Sequence, residues 1–460
     1  MTGPSILWLR RDLRRHDLPA LTAAGAAAGS AGVLPVFVVD PRLWDSAGGP
    51  RRAWLAATLT ATNEAYDGRL VLRLGDPRRV VPDLAREVGA SSVHVSAEST
   101  PYGRRRDRHV ERAVTKLGVE FVATGTPYAV GPGLVRKVDG EPYRVFTPFA
   151  RAWREHGWPA PDQAPEAVRW SSVNSDPQAA SMVDQAARSP EASGLPVPGE
   201  AGGRGTWERF LETGVTAYDT ERDRPDREGT SRLSPYLKLG VVHPRTLLAD
   251  LAPRLAQRGA GAERFVTELA WREFYADVLW HQPRSAWTDL RDSLSGMRYD
   301  EPQDAIDAWR EGRTGYPLVD AGMRQLLETG WMHNRVRMVT ASFLTKDLHV
   351  WWPVGARHFL AHLIDGDLAS NNHGWQWVAG TGTDAAPYFR VFNPTAQGER
   401  FDPDGDYVRR WVPQLRHLTG AAVHRPWQAT GGYDHGYPRR IVDHAEERRE
   451  ALRRYQHGKP

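Results

Sequence analysis

The chain has 460 residues, 40% hydrophobic and 25% charged, which is globular and too long for one ordinary core. It lacks cysteine, which excludes disulfides, thiolate nucleophiles and cysteine metal sites. A net charge of +4, with five lysines against 55 arginines, permits nucleic-acid binding, and no apolar run approaches the ~20 residues of a membrane span.

SILWL (5–9), VLPVFVVD (33–40), RLVLRLGD (69–76), SSVHVS (91–96) and VEFVATG (119–125) read as buried strands. Helices are predicted between them near 17–28, 51–66, 77–88 and 102–117, so the first part is a doubly wound parallel sheet. No GxGxxG follows the first strand; GTGTDA (380–385) fits GxGxxA but follows no strand and is read as chance. The stretch 126–203, rich in Pro, Gly, Ser and Ala, reads as a connector wrapped over the surface. Helical spacing takes over from 204, as in ERFVTELAWREFYADVLWH, and TGYPLVDAGMRQLLETG ends at a glycine suited to a helix C-cap. The expected fold is α/β plus all-α: an α/β domain over 1–130, a connector over 131–203 and a helical domain over 204–460. MTGPSILWLRR has no secretory apolar region, so cytoplasm is the expected compartment.

Four stretches carry chemistry. In TSRLSPYLKLG, Thr230, Ser231 and Ser234 read as helix N-caps with Pro235 in the first turn, and Arg232 beside them suits an anion. In ELAWREFYADVLW, Glu268 and Arg272 are spaced for an ion pair and Trp271 is spaced for a core. GWMHNRVRM alternates Asn334, Arg335 and Arg337 with Trp331, Val336 and Met338, as an amphipathic helix or a substrate pocket would; His333 alone reads as a helical histidine. DGDLASNNHGWQW crowds Asp365, Asp367, Asn371 and Asn372 beside Trp375 and Trp377; its acids resemble a calcium loop, but position twelve is Gln376, so no metal is expected. Each stretch taken alone also fits an ordinary helix.

WLRRDLRRHD, TSRLS, ELAWREFY, RTGYPLVDAGMRQL, GWMHNRVRM, FLTKDL, DGDLASNNHGWQW and GTDAAPYFRVFNP follow one another along nearly the whole chain. In this order they resemble the photolyase/cryptochrome family, most closely the class I cyclobutane pyrimidine dimer photolyases. The resemblance implies an N-terminal, Rossmann-like antenna domain and FAD folded inside the helical domain. Tyr218, Thr230, Ser231, Arg232, Leu233 and Ser234 match the diphosphate side; Arg272, Asn334, Arg337, Asp365, Gly366 and Asp367 match further cofactor contacts. Asn371 matches the residue facing the reactive flavin nitrogen. Glu268, Trp271, Asn334, Arg335, Met338, Trp377 and Gln397 match contacts to the flipped-out lesion. Trp375 and Trp352 match the first two members of an electron relay, whose distal tryptophan is Tyr299 here, with Trp309 and Trp287 nearby in sequence.

The implied activity is light-driven dimer repair, a carbon–carbon lyase reaction on double-stranded or single-stranded DNA by a monomer without a membrane. An antenna of the 8-hydroxy-5-deazaflavin type is favoured over a folate by PYGRRRD (101–107), with Asp40, Arg51 and Glu98 as its contacts. A cryptochrome-type light sensor and a (6-4) photolyase are the alternatives. Retained Glu268, Asn334 and Met338 favour dimer repair, and the (6-4) enzymes usually carry a His pair where this chain has His333–Asn334. His373, where the family usually has glycine, is a second departure.

Overall fold

The computed structural model describes residues 3–163, 165, 167–383 and 389–458. Part of the GTGTDA match, at 384–385, and the middle of GTDAAPYFRVFNP, at 384–388, lie outside the described residues. The chain folds as two compact units, one of residues 1–216 and 231–283, the other of 217–230 and 284–460. This division differs from the sequence boundaries at 130 and 203.

In the first unit, β1 (Ser5–Leu9), β2 (Val33–Val39), β3 (Val71–Leu74), β4 (Ser92–Val95) and β5 (Glu120–Ala123) form a parallel sheet in the order β3-β2-β1-β4-β5. Every residue of β1 and β2 is buried, as a strand covered on both faces requires. The crossovers run through α1 (Pro19–Ala28), α2 (Gly49–Ala65), α3 (Pro77–Glu87) and α4 (Pro101–Thr115), each with proline in its first turn. Asp76 and Thr100 cap α3 and α4 with their side chains.

The connector is more structured than its composition suggests. It carries α5 (Phe146–His156), α6 (Pro177–Ala187) and α7 (Gly199–Thr213). Its anchor is Glu273 on α8 (Ala260–His281), which accepts hydrogen bonds from the backbone N–H groups of Ala129 and Val130 (3.0 Å) and from Trp153 Nε1 (2.9 Å). Asp277, one turn on, accepts from Gly133 N at 2.7 Å. Burial pushes the Glu273 carboxyl up to about 7, against the pull of these donors and of Arg272.

The second unit is helical: α9 (Pro317–Thr329), α10 (Asn334–Ser342), α11 (Trp352–His362), α12 (Leu368–Ala379) and α13 (His444–His457). Its core gathers Trp309, Met332, Phe343, Leu344, Trp352, Phe359 and Trp375. Gly330 ends α9 in the left-handed conformation with φ 65°, as the sequence predicts. Residues Phe343–Asp347 form one π-helical turn, which carries Lys346 inward until it is 1% exposed. Its Nζ donates to the Ala379 carbonyl at 2.9 Å and lies over the Phe389 ring, and burial holds its pKa well below the usual lysine value.

Glu273→Ala strands three buried N–H groups, so the denaturant midpoint of this variant is expected to fall by an amount equivalent to roughly 3 kcal/mol or more. Because Glu273 titrates near 7 in the folded chain, above its usual 4.5, the folded state holds the extra proton. Its contribution is therefore full below the usual value and lost as pH rises through about 7. Unfolding curves of wild type and variant across this window measure both effects.

Candidate functional site

Two clusters carry the chemistry, one in each unit. In the helical unit, Asp367 caps α12 by accepting from Ser370 N at 3.0 Å, which fixes where the helix begins and so which face carries Asn371 and Trp375. Two residues earlier, Asp365 accepts from Arg337 Nη2 at 2.8 Å. Its second oxygen, Oδ1, is buried with no hydrogen-bond partner among the described residues. Arg337 also donates from Nε to the Met332 carbonyl at 2.8 Å, so its guanidinium is held at two points.

The orientation of Asn371 follows from its neighbours. The Ala286 carbonyl can only accept, so the Asn372 amide turns its NH2 toward it. The Asn372 Oδ1 then accepts from Asn371 Nδ2 at 2.8 Å, and the same Nδ2 donates to the Ala356 carbonyl at 3.2 Å. Both Asn371 donors are thereby used within the protein, which leaves Oδ1 as the atom presented to a ligand. Unpartnered Asp365 Oδ1 and the Asn371 Oδ1 are acceptors awaiting N–H or O–H donors, which a flavin dinucleotide offers. The residues present fit FAD.

His373, one residue on, is part of the scaffold. Its Nδ1 lies 2.9 Å from the Ala369 carbonyl and its Nε2 lies 3.0 Å from Ser285 Oγ. Burial pushes its pKa down to about 4, so the ring is neutral at pH 7, donates from Nδ1 and accepts from the serine. Gln376 adds a bond to the Ser285 carbonyl and one from Leu290 N, each 2.8 Å.

The residues expected in the relay each pack among other aromatic rings. Trp375 lies edge-on to Phe359 and Trp309, with centroids 5.0 and 6.1 Å away. Gly355 permits this, because a Cβ there would sit 2.2 Å from Trp375 Cη2 and 2.6 Å from Leu344 Cδ2. Trp352, at the start of the same helix, is fully buried and donates from Nε1 to Asp289 at 2.6 Å. Tyr299 is half-buried, and its ring neighbour is Trp351 at 6.5 Å. Trp309 is fully buried and donates to the Thr340 carbonyl, and Trp287 lies under Arg357.

Of the other candidates in this unit, Trp377 is half-buried beneath the Arg390 guanidinium at 5.0 Å. Arg335 pairs with Asp223 at 3.0 Å and lies over Phe401. Gln397 keeps a buried Oε1 with no partner among the described residues, Met338 packs on the core, Asn334 is exposed and Tyr218 is buried.

In the first unit, Arg272 donates to the carbonyls of Pro127 (2.9 Å) and Leu237 (3.3 Å) and covers the Tyr128 ring. Glu268 pairs with Arg264 at 3.4 Å. Trp271 stacks flat on Phe146, with centroids 3.6 Å apart, a partner from the connector that sequence reading missed. The capping role expected of the TSRLS hydroxyls is corrected. The short helix Ser234–Leu239 begins at Ser234 itself, Leu233 holds the N-cap position, and no side chain caps it. Ser231 Oγ instead accepts from Leu233 N at 3.4 Å, across Arg232, whose φ of 54° turns the chain sharply. Among the antenna candidates, Asp40 accepts from Arg42 N and from the Tyr102 hydroxyl. Burial would raise Glu98, yet Arg11, Arg106 and Arg10 outweigh it and hold the carboxyl below its usual value. Arg51 is half-buried.

Two family descriptions match the chain: DNA photolyase over residues 5–166, and the FAD binding domain of DNA photolyase over 265–457. A deoxyribodipyrimidine photo-lyase of Streptomyces griseus is 42% identical, covering 96% of this chain and 97% of its own, and that of Escherichia coli is 40% identical, covering 98% of each. A bacterial class III photolyase from Agrobacterium tumefaciens superposes with a TM-score of 0.91 at 36% identity, covering 100% of this chain and 98% of its own. A parallel five-stranded unit joined in one chain to a helical unit with acceptors for a flavin is thus the architecture shared by photolyases and cryptochromes. The chain belongs to the DNA photolyase family. Its matched domain is an FAD-binding one.

Gly355→Ala puts a methyl where Trp375 lies. Overpacking of this kind costs about 1–3 kcal/mol, so the thermal midpoint should drop and the tryptophan fluorescence spectrum should shift. Paired thermal melts and emission spectra check this.

Proposed function

We infer that this protein repairs cyclobutane pyrimidine dimers in DNA, using light, as a carbon–carbon lyase. The observation that supports this most directly is that one segment carries the Asn371 Oδ1, left over once both N–H donors of that amide are used, the unpartnered Asp365 Oδ1, and Trp375. When bound, reduced FAD would supply the light-driven, redox-neutral electron transfer that opens the dimer.

The chain's own residues bind and tune. Asp365, anchored by Arg337, and Asn371 accept hydrogen bonds from the cofactor. Asp367, Gly366, Arg272, Asn334, Tyr218 and the Thr230–Ser234 segment complete the cofactor set. A dimer inside a duplex must leave the stack before a buried cofactor can reach it. By the resemblance, Trp271 and Trp377 each offer a flat aromatic face to the extruded lesion, and Met338 an adaptable one. Glu268 holds the pyrimidine edge, with Asn334, Arg335 and Gln397 as further lesion or backbone contacts. Arginines on the surface take the phosphates, so binding weakens with salt. Trp375 and Trp352 supply electrons that return oxidised cofactor to its working state. A deazaflavin-type antenna at Asp40, Arg51 and Glu98 is favoured over a folate. The protein works as a monomer in the cytoplasm on single- or double-stranded DNA.

The deciding experiment illuminates the pre-reduced protein with dimer-containing DNA; restored thymines in light and none in the dark are expected, and no loss of dimers with fully reduced FAD would reject the reading.

Glu268→Ala should keep its FAD and lose roughly 1.5–3 kcal/mol of hydrogen bonding to a charged lesion, seen as a lower repair yield per absorbed photon. In Asn371→Asp, a carboxylate replaces the amide that donates to Ala356 and Asn372 and adds like-charge repulsion toward an anionic reduced cofactor. Reductive titration should show this variant harder to reduce, and Asn372→Ala should shift in the same direction by less, because it only frees Asn371 to rotate.

A further inference from the structure

We propose that Trp351 is the outer donor of the aromatic relay, taking the electron vacancy from Trp352 to the solvent, so that Tyr299 is not required as the terminal donor. This rests on the photolyase reading above. Trp351 stands beside Trp352 with centroids 6.4 Å apart and the planes at 66°. Tyr299 contacts Trp351, at 6.5 Å, and among the described residues it makes no ring contact with Trp352. A vacancy bound for Tyr299 therefore meets the Trp351 ring first.

Two further features stop it there, and a third lets it form on the inner ring first. Trp352 is fully buried, whereas Trp351 is half-buried and reaches water, which stabilises a cation and accepts a proton. The Asp289 carboxylate on the Trp352 N–H favours positive charge on that inner ring, so the vacancy can form on it. Tyr299 offers a poorer end. A phenol gives up its proton as it loses an electron, and no protein group among the described residues is hydrogen-bonded to the hydroxyl of this equally half-buried residue, so that proton has only water to go to in the same step. Burial and the charge of Asp289 push its pKa further above the usual value. An indole, in contrast, persists as a cation and loses its proton later.

The steps balance. Trp375 gives one electron to the cofactor and becomes an indole radical cation. Trp352 refills Trp375, whose ring packs against Gly355 in the first turn of the helix that Trp352 begins. Trp351 refills Trp352 and then releases its Nε1 proton to water. A water-soluble thiol restores Trp351 by giving up one electron and one proton, and leaves as a thiyl radical.

The test is transient absorption on the FAD-loaded protein with its cofactor oxidised, in wild type, Trp351→Phe and Tyr299→Phe, with thermal melts to confirm folding. Trp351→Phe should shorten the radical-pair lifetime at least tenfold and lower the yield of photoreduction by thiol several-fold. Tyr299→Phe should stay within about twofold of wild type in both. Paramagnetic resonance of the long-lived radical in unmodified protein needs no variant and should show a tryptophanyl signal. A wild-type lifetime in Trp351→Phe, a collapsed one in Tyr299→Phe, or a tyrosyl signal would overturn the proposal. Dimer repair by pre-reduced wild type is scored separately, so failure of the repair reading shows there and failure of this proposal shows in the lifetimes and spectra.

Discussion

A peptide carbonyl can only accept a hydrogen bond, and the Asn371–Asn372 pair of the helical unit is ordered around one such carbonyl, that of Ala286. It sets the Asn372 amide, which sets the Asn371 amide, which leaves the Asn371 Oδ1 as its remaining acceptor. The loop that carries this carbonyl is itself tied to α12 by the Ser285 hydroxyl on His373 and by both ends of the Gln376 amide. The same loop delivers Asp289 to the Trp352 indole. The amide proposed to face the cofactor and the indole proposed for the relay therefore share one support. A displacement of residues 285–290 would disturb both, although neither Ser285 nor Ala286 belongs to the chemistry.

Most of the sheet was legible in the sequence because buried parallel strands leave continuous β-branched runs, and all five runs became strands. The proline- and glycine-rich connector was harder. Its opening residues and its first helix are held by tertiary bonds to Glu273 and Asp277, over a hundred residues away, and no local pattern announces such partners. The same limit applies inside the site. DGDLASNNHGWQW displayed its acids, amides and tryptophans openly, but Ala286, Asp289 and Gly355 carry no signal in composition or spacing. Phe146 sits in the connector and gives no hint of its stack on Trp271. The WW doublet at 351–352 was visible, yet only geometry separates the roles of its two rings.

His373 shows how a departure from a family pattern can be absorbed. A glycine there would leave Ser285 Oγ without this ring nitrogen. The histidine fills the space and stays neutral, because burial opposes its charge more strongly than Asp367 and the Ala369 carbonyl favour it. It therefore acts as a polar strut with no charge to perturb a nearby cofactor.

The π-turn at 343–347 has a consequence for watching this protein unfold. Burial holds its Lys346 amine well below the usual lysine value, and the amine is sealed beneath Phe389 and the end of α12. Lys116 and Lys137 are exposed and Lys238 is half-buried. An amine-reactive reagent would mark these readily but could reach Lys346 only during openings of the helical unit. The slow labelling of a single residue is thus a built-in clock for the rate at which the core around the relay breathes, readable by mass without any introduced probe.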